Sequence, residues 1–360
     1  MPAPSPAGSP LDADHLRARV QVVLDDFLTS HEPLMTAISV DTSPLSDALR
    51  DMLAGGKRLR PAFCYWGWRA AGGDDRNEAV RAASSLEFLQ ACALIHDDVM
   101  DGSDTRRGQP AAHRRFATLH RGSAWLGSSE NFGVGAAILL GDLCLSWADE
   151  LLLTCGLNDE ALRRGKAVYD IMRTELMAGQ YLDLLEQAVG GGSVERALTV
   201  VRYKSAKYTI ERPLHLGAAL AGGTESIADV LSDYGLQLGA AFQLRDDVLG
   251  VFGDPSQTGK PAGDDLREGK RTVLVAEALE RSTAAQSAIL RDHLGDPGLT
   301  PEGVAQLRDV ITSTGALERV ESMIAEFTEQ AFAALQSPLL DPVAVPVLEG
   351  LAIAATSRSV

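Results

Sequence analysis

Aromatic residues make up only 5% of the 360-residue chain, and basic residues are the scarcer charge, 33 Lys and Arg against 49 Asp and Glu. The formal net charge is −16 with histidine neutral. A surface so short of positive charge excludes non-specific nucleic-acid binding, which depends on neutralising phosphates. It leaves phosphorylated small molecules open, because acidic clusters hold those through divalent metal. Cysteine is also sparse. Cys64, Cys92, Cys144 and Cys155 each lie in an apolar stretch with no C-x-x-C spacing, which excludes a disulfide scaffold and points to buried, reduced thiols in the cytoplasm. The longest apolar run, Val134 to Ala148, is interrupted by Asp142 and is too short to span a bilayer. The opening MPAPSPAGSP has neither a basic nor an apolar signal region, so residues 1–12 are expected to be a disordered tail. Missing, too, are an E-x-x-H pair, which disfavours a di-iron bundle, and any alternating β-branched run that would make a convincing strand.

What the chain does have is helical period. Hydrophobic residues are 45% of the whole, enough for a large core, and Ala and Leu, both good helix formers, dominate. Apolar residues recur every three or four positions over Asp14 to Ser30, Leu45 to Ala54, Ala62 to Ala71 and Asn77 to Met100. The same period runs over Glu130 to Cys155, Asp159 to Val189, Val194 to Ala221, Glu225 to Phe252 and Thr272 to Leu294. Gly72-Gly73, Gly190-Gly191-Gly192 and Gly222-Gly223 mark breaks, and Pro213 should kink its helix. No linker divides the chain, so residues 13–360 are expected to form one all-α domain, a single large bundle of ten or more helices.

Two acidic clusters carry the chemistry. In LIHDDVMDGSDTRRG, Asp97 and Asp101 are one turn apart on one helix face, with Asp98 beside them. Three carboxylates sit badly at a helix C-terminus, where the macrodipole favours cations. Bound Mg²⁺ would explain them, although one such cluster alone reads equally as a solvated helix end. FQLRDDVLGVFGD repeats the pattern with Asp246 and Asp247, and two clusters, each closing a long helix before a basic Gly-containing loop, are far more specific. The basic residues near them are Lys57, Arg58 and Arg60 in GGKRLRP, Arg106 and Arg107, Lys204 and Lys207 in YKSAKYT, and Lys260 and Lys270. Together they supply positive charge suited to two diphosphates.

These residues resemble the trans-type isoprenyl diphosphate (polyprenyl) synthases, most closely a geranylgeranyl diphosphate synthase. GGKRLRP, Gln90, DDVMD followed by RRG, KSAKYT, FQLRDD and the Lys260 to Lys270 loop occur in the family's order over roughly positions 50 to 275. The resemblance implies that Asp97, Asp98 and Asp101, opposed by Asp246 and Asp247, bind Mg²⁺, three ions per site, against an allylic diphosphate. Arg106, Lys204 and Lys260 would contact that diphosphate, with Ser205, Gln243 and Lys270 nearby. These acids together with Arg106, Lys204 and Lys260 would be the catalytic set. Lys57, Arg60, Gln90 and Arg107 would bind the diphosphate of isopentenyl diphosphate. Gly250 stands where some members carry a third Asp. The family's fold is the all-α isoprenoid synthase bundle, commonly a homodimer without membrane segment. Departing diphosphate leaves an allylic cation, and the isopentenyl double bond attacks it. His96, beside the acids, is expected to pack rather than to act as a base.

In the family a bulky residue one turn before the first Asp halts growth early. Here Cys92 and Ala93 are small, while Phe88 and Leu89 stand one turn deeper, and one turn is about 5.4 Å, comparable to one isoprene unit. Geranylgeranyl diphosphate is therefore the expected main product, with longer-chain or farnesyl diphosphate synthesis the nearest alternatives. A class I terpene cyclase would leave GGKRLRP and Arg107 without a use. A silent partner subunit would be expected to have lost one of the aspartate pairs.

Overall fold

Periodic apolar stretches that carry their own caps fold where their periods run. Asn158 accepts a hydrogen bond from the Ala161 N–H at 2.9 Å and opens one long helix; Thr224 opens another in the same way. Gly190 and Gly222 end their helices in left-handed conformation. The protein, a computed structural model, is described over residues 10–253, 263–296 and 298–356. Its helices are α1 Leu16–Ile38, α2 Ser43–Leu53, α3 Leu59–Ala70, α4 Asn77–Met100, α5 Ala112–Gly122, α6 Ser129–Leu153 and α7 Asp159–Val189. After α8 Val194–Val200 comes a π-helix, Val201–Glu211, then α9 Arg212–Ala221 and α10 Glu225–Phe252. The remaining helices are α11 Asp264–Glu268, α12 Val273–Arg281, α13 Ala284–His293, α14 Pro301–Ser313, α15 Ala316–Ala334 and α16 Val345–Thr356. The all-α expectation holds. Residues 1–9 of the expected tail lie outside the described residues, while Pro10–His15 form an irregular turn.

The structure departs from the periodicity in four places. Val194 to Ala221 is not one kinked helix: the ring of Pro213 cannot follow an α-helical turn, and the preceding eleven residues take the wider π-helical path instead. Thr272 to Leu294 breaks at Thr283, which forms a capping box with Gln286. Ala112–Gly122 adds a helix where no period was read. Thr105–Arg106 and Gln109–Pro110 pair as a two-residue antiparallel ladder.

Two apolar cores flank the site. The larger gathers side chains from α1 to α4, α6, α7, α9 and α10, and from α15 and α16. The smaller gathers those of α8 and α10 to α15. Long α10 belongs to both, and its C-terminal end, with Asp246 and Asp247, lies where they meet.

The π-helix is fixed from behind by a buried ion network. Lys207 reaches Glu175 of α7 at 3.2 Å and Glu211 at 3.0 Å. Arg212 grips the same Glu175 with two hydrogen bonds, at 2.6 and 2.8 Å. Lys207 thus serves the scaffold, not the diphosphate site expected of it, because its ammonium points into a pair of carboxylates. Arg212 also donates to Nδ1 of His215 at 3.1 Å, so Nε2 carries the proton and donates to the Ala228 carbonyl at 3.0 Å. Burial lowers the His215 pKa below the ordinary histidine value, aided by Arg212 and opposed by Glu211. A histidine kept neutral in the fold contributes stability above its unfolded pKa of about 6.5, and that contribution is lost as pH falls through and below this value. Thermal melts between pH 8 and pH 5 should show stability declining below about pH 6.5, with a shallower decline in His215→Gln. Parallel pH profiles for the two proteins would contradict this.

Candidate active site

The C-terminal turn of α4 projects Asp97, Asp98 and Asp101, and each finds a different cation. Asp98 is fully buried and accepts from the Arg106 Nε at 3.0 Å, with a further Arg106 nitrogen in contact. The two-residue ladder makes this possible. Arg107 and Gly108 both take left-handed φ, 53° and 74°, the turn that reverses a tight hairpin. Arg106 is thereby folded back onto α4, and Arg107 occupies a backbone conformation unusual for a side-chain-bearing residue.

Asp97 takes donors from two helices. Gln180 of α7 donates to Asp97 Oδ1 at 3.0 Å, and Lys204 of the π-helix reaches the same oxygen at 3.3 Å. Lys204 also binds Asp183 of α7 at 2.6 Å. Burial opposes the Lys204 charge, yet Asp97 and Asp183 hold its pKa above the ordinary lysine value. Burial likewise opposes the Asp97 carboxylate, and Lys204, Lys270 and Arg106 outweigh it and lower the pKa. Asp101 faces Lys270 at 3.4 Å. Its carboxyl is pushed up to about 6 by burial and by Asp97, and its Oδ1 is buried with no partner among the described residues.

The second cluster approaches from α10. Gln243 donates to Asp247 Oδ1 at 2.8 Å, and burial, with Asp265 and Asp246 close by, pushes Asp247 up to about 8. Gly250, where a third acid was read as absent, is filled from elsewhere. A Cβ on it would lie 1.9 Å from the Asp265 carboxylate of α11, so the glycine leaves room for an acid contributed by the following segment. Lys270 sits among Asp101, Asp265 at 3.8 Å and Glu268 at 2.9 Å. Burial works against its charge, but these carboxylates hold it well above the ordinary lysine value.

A cavity of about 910 Å³ joins the clusters. Lys57, Arg60, Gln90 and Arg107 line it from around α3 and α4; Asp97, Arg106, Lys204 and Ser205 line it from α4, the hairpin and the π-helix. Gln243, Asp246, Asp247 and Lys270 line it from α10 and beyond. Lys260 lies outside the described residues. Asp98 and Asp101, both expected to hold metal, are not part of the lining: Asp98 faces Arg106 and Asp101 faces Lys270. Arg58, counted with the diphosphate cations, is consumed by a buried pair with Glu87.

Near Arg60 and Arg107 the balance turns cationic. Arg60 donates to Thr209 at 2.8 Å, stacks on Tyr208 at 4.2 Å, and keeps a buried Nε without a partner. Tyr208 in turn donates to Gln90 at 2.9 Å. Burial lowers the Arg107 pKa; Glu87 opposes this, and Arg58, Arg106 and Arg60 add to it. Guanidinium groups crowded with one carboxylate that is already paired form an anion site.

The deeper positions read as the chain-length pocket do not line this cavity. Phe88 and Leu89 are fully buried, Cys92 nearly so, and Ala93 is half-buried. The Cys92 thiol is 3.7 Å from His96 Nδ1. His96 itself bonds the Ile138 carbonyl at 3.1 Å and rests on Gly141, where a Cβ would come within 2.1 Å of its ring. It packs on α6 and faces away from the acids. Sequence reasoning missed Gln180, Asp183, Asp265 and Arg271. Asp265 stood within the Lys260 to Lys270 loop and Arg271 directly after it, whereas Gln180 and Asp183 are ordinary polar residues on a helix, with no pattern to mark them. Because each charged hydrogen bond contributes about 1.5–3 kcal/mol, Arg107→Ala should weaken binding of inorganic diphosphate on the order of 10- to 100-fold. Isothermal titration measures this, and an unchanged affinity would rule out the anion site.

Comparison with known proteins agrees with this geometry. A geranylgeranyl pyrophosphate synthase of Corynebacterium glutamicum, solved with isoprenyl diphosphate and magnesium, superposes with a TM-score of 0.93 at 44% identity, covering 96% of this chain and 99% of that one. A polyprenyl synthase of Caulobacter crescentus, solved with calcium and isoprenyl diphosphate, gives a TM-score of 0.78 at 28% identity, covering 100% of both chains. The geranylfarnesyl diphosphate synthase of Aeropyrum pernix is 32% identical over 303 residues, 83% of this chain and 89% of its own. The profile of the polyprenyl synthetase family matches residues 42–311. This span holds both acidic clusters and every cation named above, and the chain belongs to the polyprenyl synthetase family.

Proposed function

We propose that the protein is a prenyltransferase that condenses isopentenyl diphosphate with an allylic diphosphate (dimethylallyl, geranyl or farnesyl) to give mainly geranylgeranyl diphosphate. The observation that carries this reading is the single cavity in which two opposed acidic clusters adjoin a separate arginine-rich anion site. A terpene cyclase has no need of the second anion site. A silent subunit is disfavoured by the retention of Asp97, Asp101, Asp246 and Asp247 in the site.

The donors suit a hard divalent cation. They are carboxylate oxygens, and Asp101 Oδ1 is buried with no partner among the described residues. Among the described residues no three His, Cys, Asp or Glu side chains form a finished cage around one point. A metal held here therefore takes part of its coordination from water and diphosphate, as Mg²⁺ does. Asp97, Asp101, Asp246 and Asp247 would hold the ions, three by family resemblance. Asp98 would act through Arg106, which it orients. Bound Mg²⁺ supplies charge neutralisation to the leaving diphosphate.

The chain's own groups do the rest. Lys204, Arg106 and Lys270, held beside the acids, stabilise the allylic diphosphate as its C–O bond breaks and negative charge moves onto it. Lys57, Arg60 and Arg107 hold isopentenyl diphosphate so that its double bond faces the allylic carbon, which supplies proximity. Attack forms the new carbon–carbon bond, and a proton leaves the adjacent carbon. His96 is bonded to α6 and does not serve as the base; by family resemblance the departed diphosphate is the acceptor.

The reading extends to assembly and location. Phe132, Ile138 and Leu139 are exposed on α6, and Leu126 just before it is 98% exposed. An apolar outer face on a helix whose other face is already buried supports a homodimer. Four free, buried cysteines fit a reducing cytoplasm. No helix among the described residues is long and apolar enough to cross a membrane.

Incubation with labelled isopentenyl diphosphate, farnesyl diphosphate and Mg²⁺ should yield a twenty-carbon diphosphate. A cyclic hydrocarbon, or no product, would refute the reading. Cys92→Phe should shift the product to shorter chains, and an unchanged length would defeat the pocket assignment. Leu139→Glu should convert a dimer to monomer in sedimentation; a monomeric wild type would reject the dimer.

A further inference from the structure

Three helices meet below the acids, and their side-chain contacts fix a common register. At the mouth, Gln180 of α7 meets Asp97 of α4, and His96 of α4 meets Ile138 of α6. Further down, Phe88 of α4 meets Trp147 of α6, ring centroids 6.0 Å apart. Two residues along α6, Asp149 pairs with Arg173 of α7 at 3.3 Å, and the Arg173 guanidinium lies over the Tyr169 ring at 4.7 Å. Phe88, Trp147 and Tyr169 therefore belong to one cross-section of the bundle. At about 1.5 Å per residue, Phe88 lies about 13 Å below Asp97, and Tyr169 about 16 Å below Gln180.

Tyr169 is an unusual occupant of that layer. The other buried tyrosines, Tyr65, Tyr208 and Tyr234, each donate to a named oxygen. Tyr169 is equally buried, and its hydroxyl has no partner among the described residues, which a buried tyrosine normally finds. It lies close enough to the Cys92 thiol and the Tyr208 hydroxyl to feel both. Its ring is backed by charge, with Arg173 and Lys166 both on Asp149. Above it on the same α7 face come apolar Met172 and Leu176, then Gln180 and Asp183. An apolar chain descending from the acids thus has apolar walls as far as Tyr169. Beside it stands the ion cluster of Arg173, Lys166 and Asp149, where burying hydrocarbon gains nothing.

We propose that Tyr169, from α7, is a specificity-determining residue that closes the prenyl pocket together with Phe88. The proposal rests on the synthase reading above. A floor at this depth admits three isoprene units, each about one helical turn of 5.4 Å. Farnesyl diphosphate then fits with its diphosphate at the acids, whereas the twenty-carbon product is one unit too long to return as substrate.

Product lengths from isopentenyl and farnesyl diphosphates with Mg²⁺ test this in wild type, Tyr169→Phe, Tyr169→Leu and Tyr169→Ala, with Phe88→Ala alongside. Tyr169→Ala should raise the share of products beyond twenty carbons on the order of tenfold, Tyr169→Leu less so, and Tyr169→Phe should match wild type because the ring forms the floor. Tyr169→Leu keeps an apolar filler, so it reports even if the alanine variant does not fold. Lengthening in Phe88→Ala with none in Tyr169→Leu or Tyr169→Ala would overturn the proposal and leave the floor to α4 alone. A wild type that makes no prenyl diphosphate would overturn the synthase reading itself, a result separable from the first.

Discussion

Carboxylates crowded at one half-buried cleft repel one another, and most of those at this site are held by three cations brought in from other elements. Lys204 stands between Asp97 and Asp183, Arg106 closes on Asp98, and Lys270 stands among Asp101, Asp265 and Glu268. These pairings join α4, α7, the π-helix, the hairpin and α11 into one site. They also leave residual repulsion. Burial, with repulsion from the neighbouring acids, holds Asp101 and Asp247 above the usual carboxylate range.

The rest of the fold follows from keeping those cations in place. Lys204 lies on a π-helix, a form often found at functional sites, and the Glu175, Lys207, Glu211 and Arg212 network fixes that helix from the side away from the cleft. Arg106 owes its position to a hairpin turn with two left-handed residues. The glycine at 250 makes room for Asp265. Below the acids the demand changes from charge to shape. There α4, α6 and α7 carry buried apolar side chains, with Phe88 against Trp147 and Arg173 over Tyr169.

Much of this was legible in the residues. The spans of α4, α7 and α10 follow from period, caps and glycine stops, and the two aspartate pairs stand at helix ends as their spacing implies. The cations were harder to sort. Arg58 and Lys207 look like Lys57 and Lys204 in sequence, but a one-residue or three-residue offset turns them inward to Glu87 and to Glu175 and Glu211. Which face a charge takes depends on a left-handed φ at Arg58 and on a π-helix, and neither has a clear local signature. Asp183, Gln180 and Tyr169 were invisible for a related reason. Their meaning comes from what α7 packs against, a long-range fact. Pro213 signalled a disturbance but not its form.

Cations and acids in the cleft are paired to one another without substrate, so a diphosphate alone should find the acid side repulsive and the Lys and Arg groups partly engaged. A divalent metal reverses that balance. Titrating inorganic diphosphate into the protein with and without Mg²⁺ tests this most directly. Affinity should rise on the order of a hundredfold with Mg²⁺, about 2.7 kcal/mol, and Asp101→Asn should lose most of that gain. Equal affinity with and without Mg²⁺ would contradict a site built around opposed carboxylates.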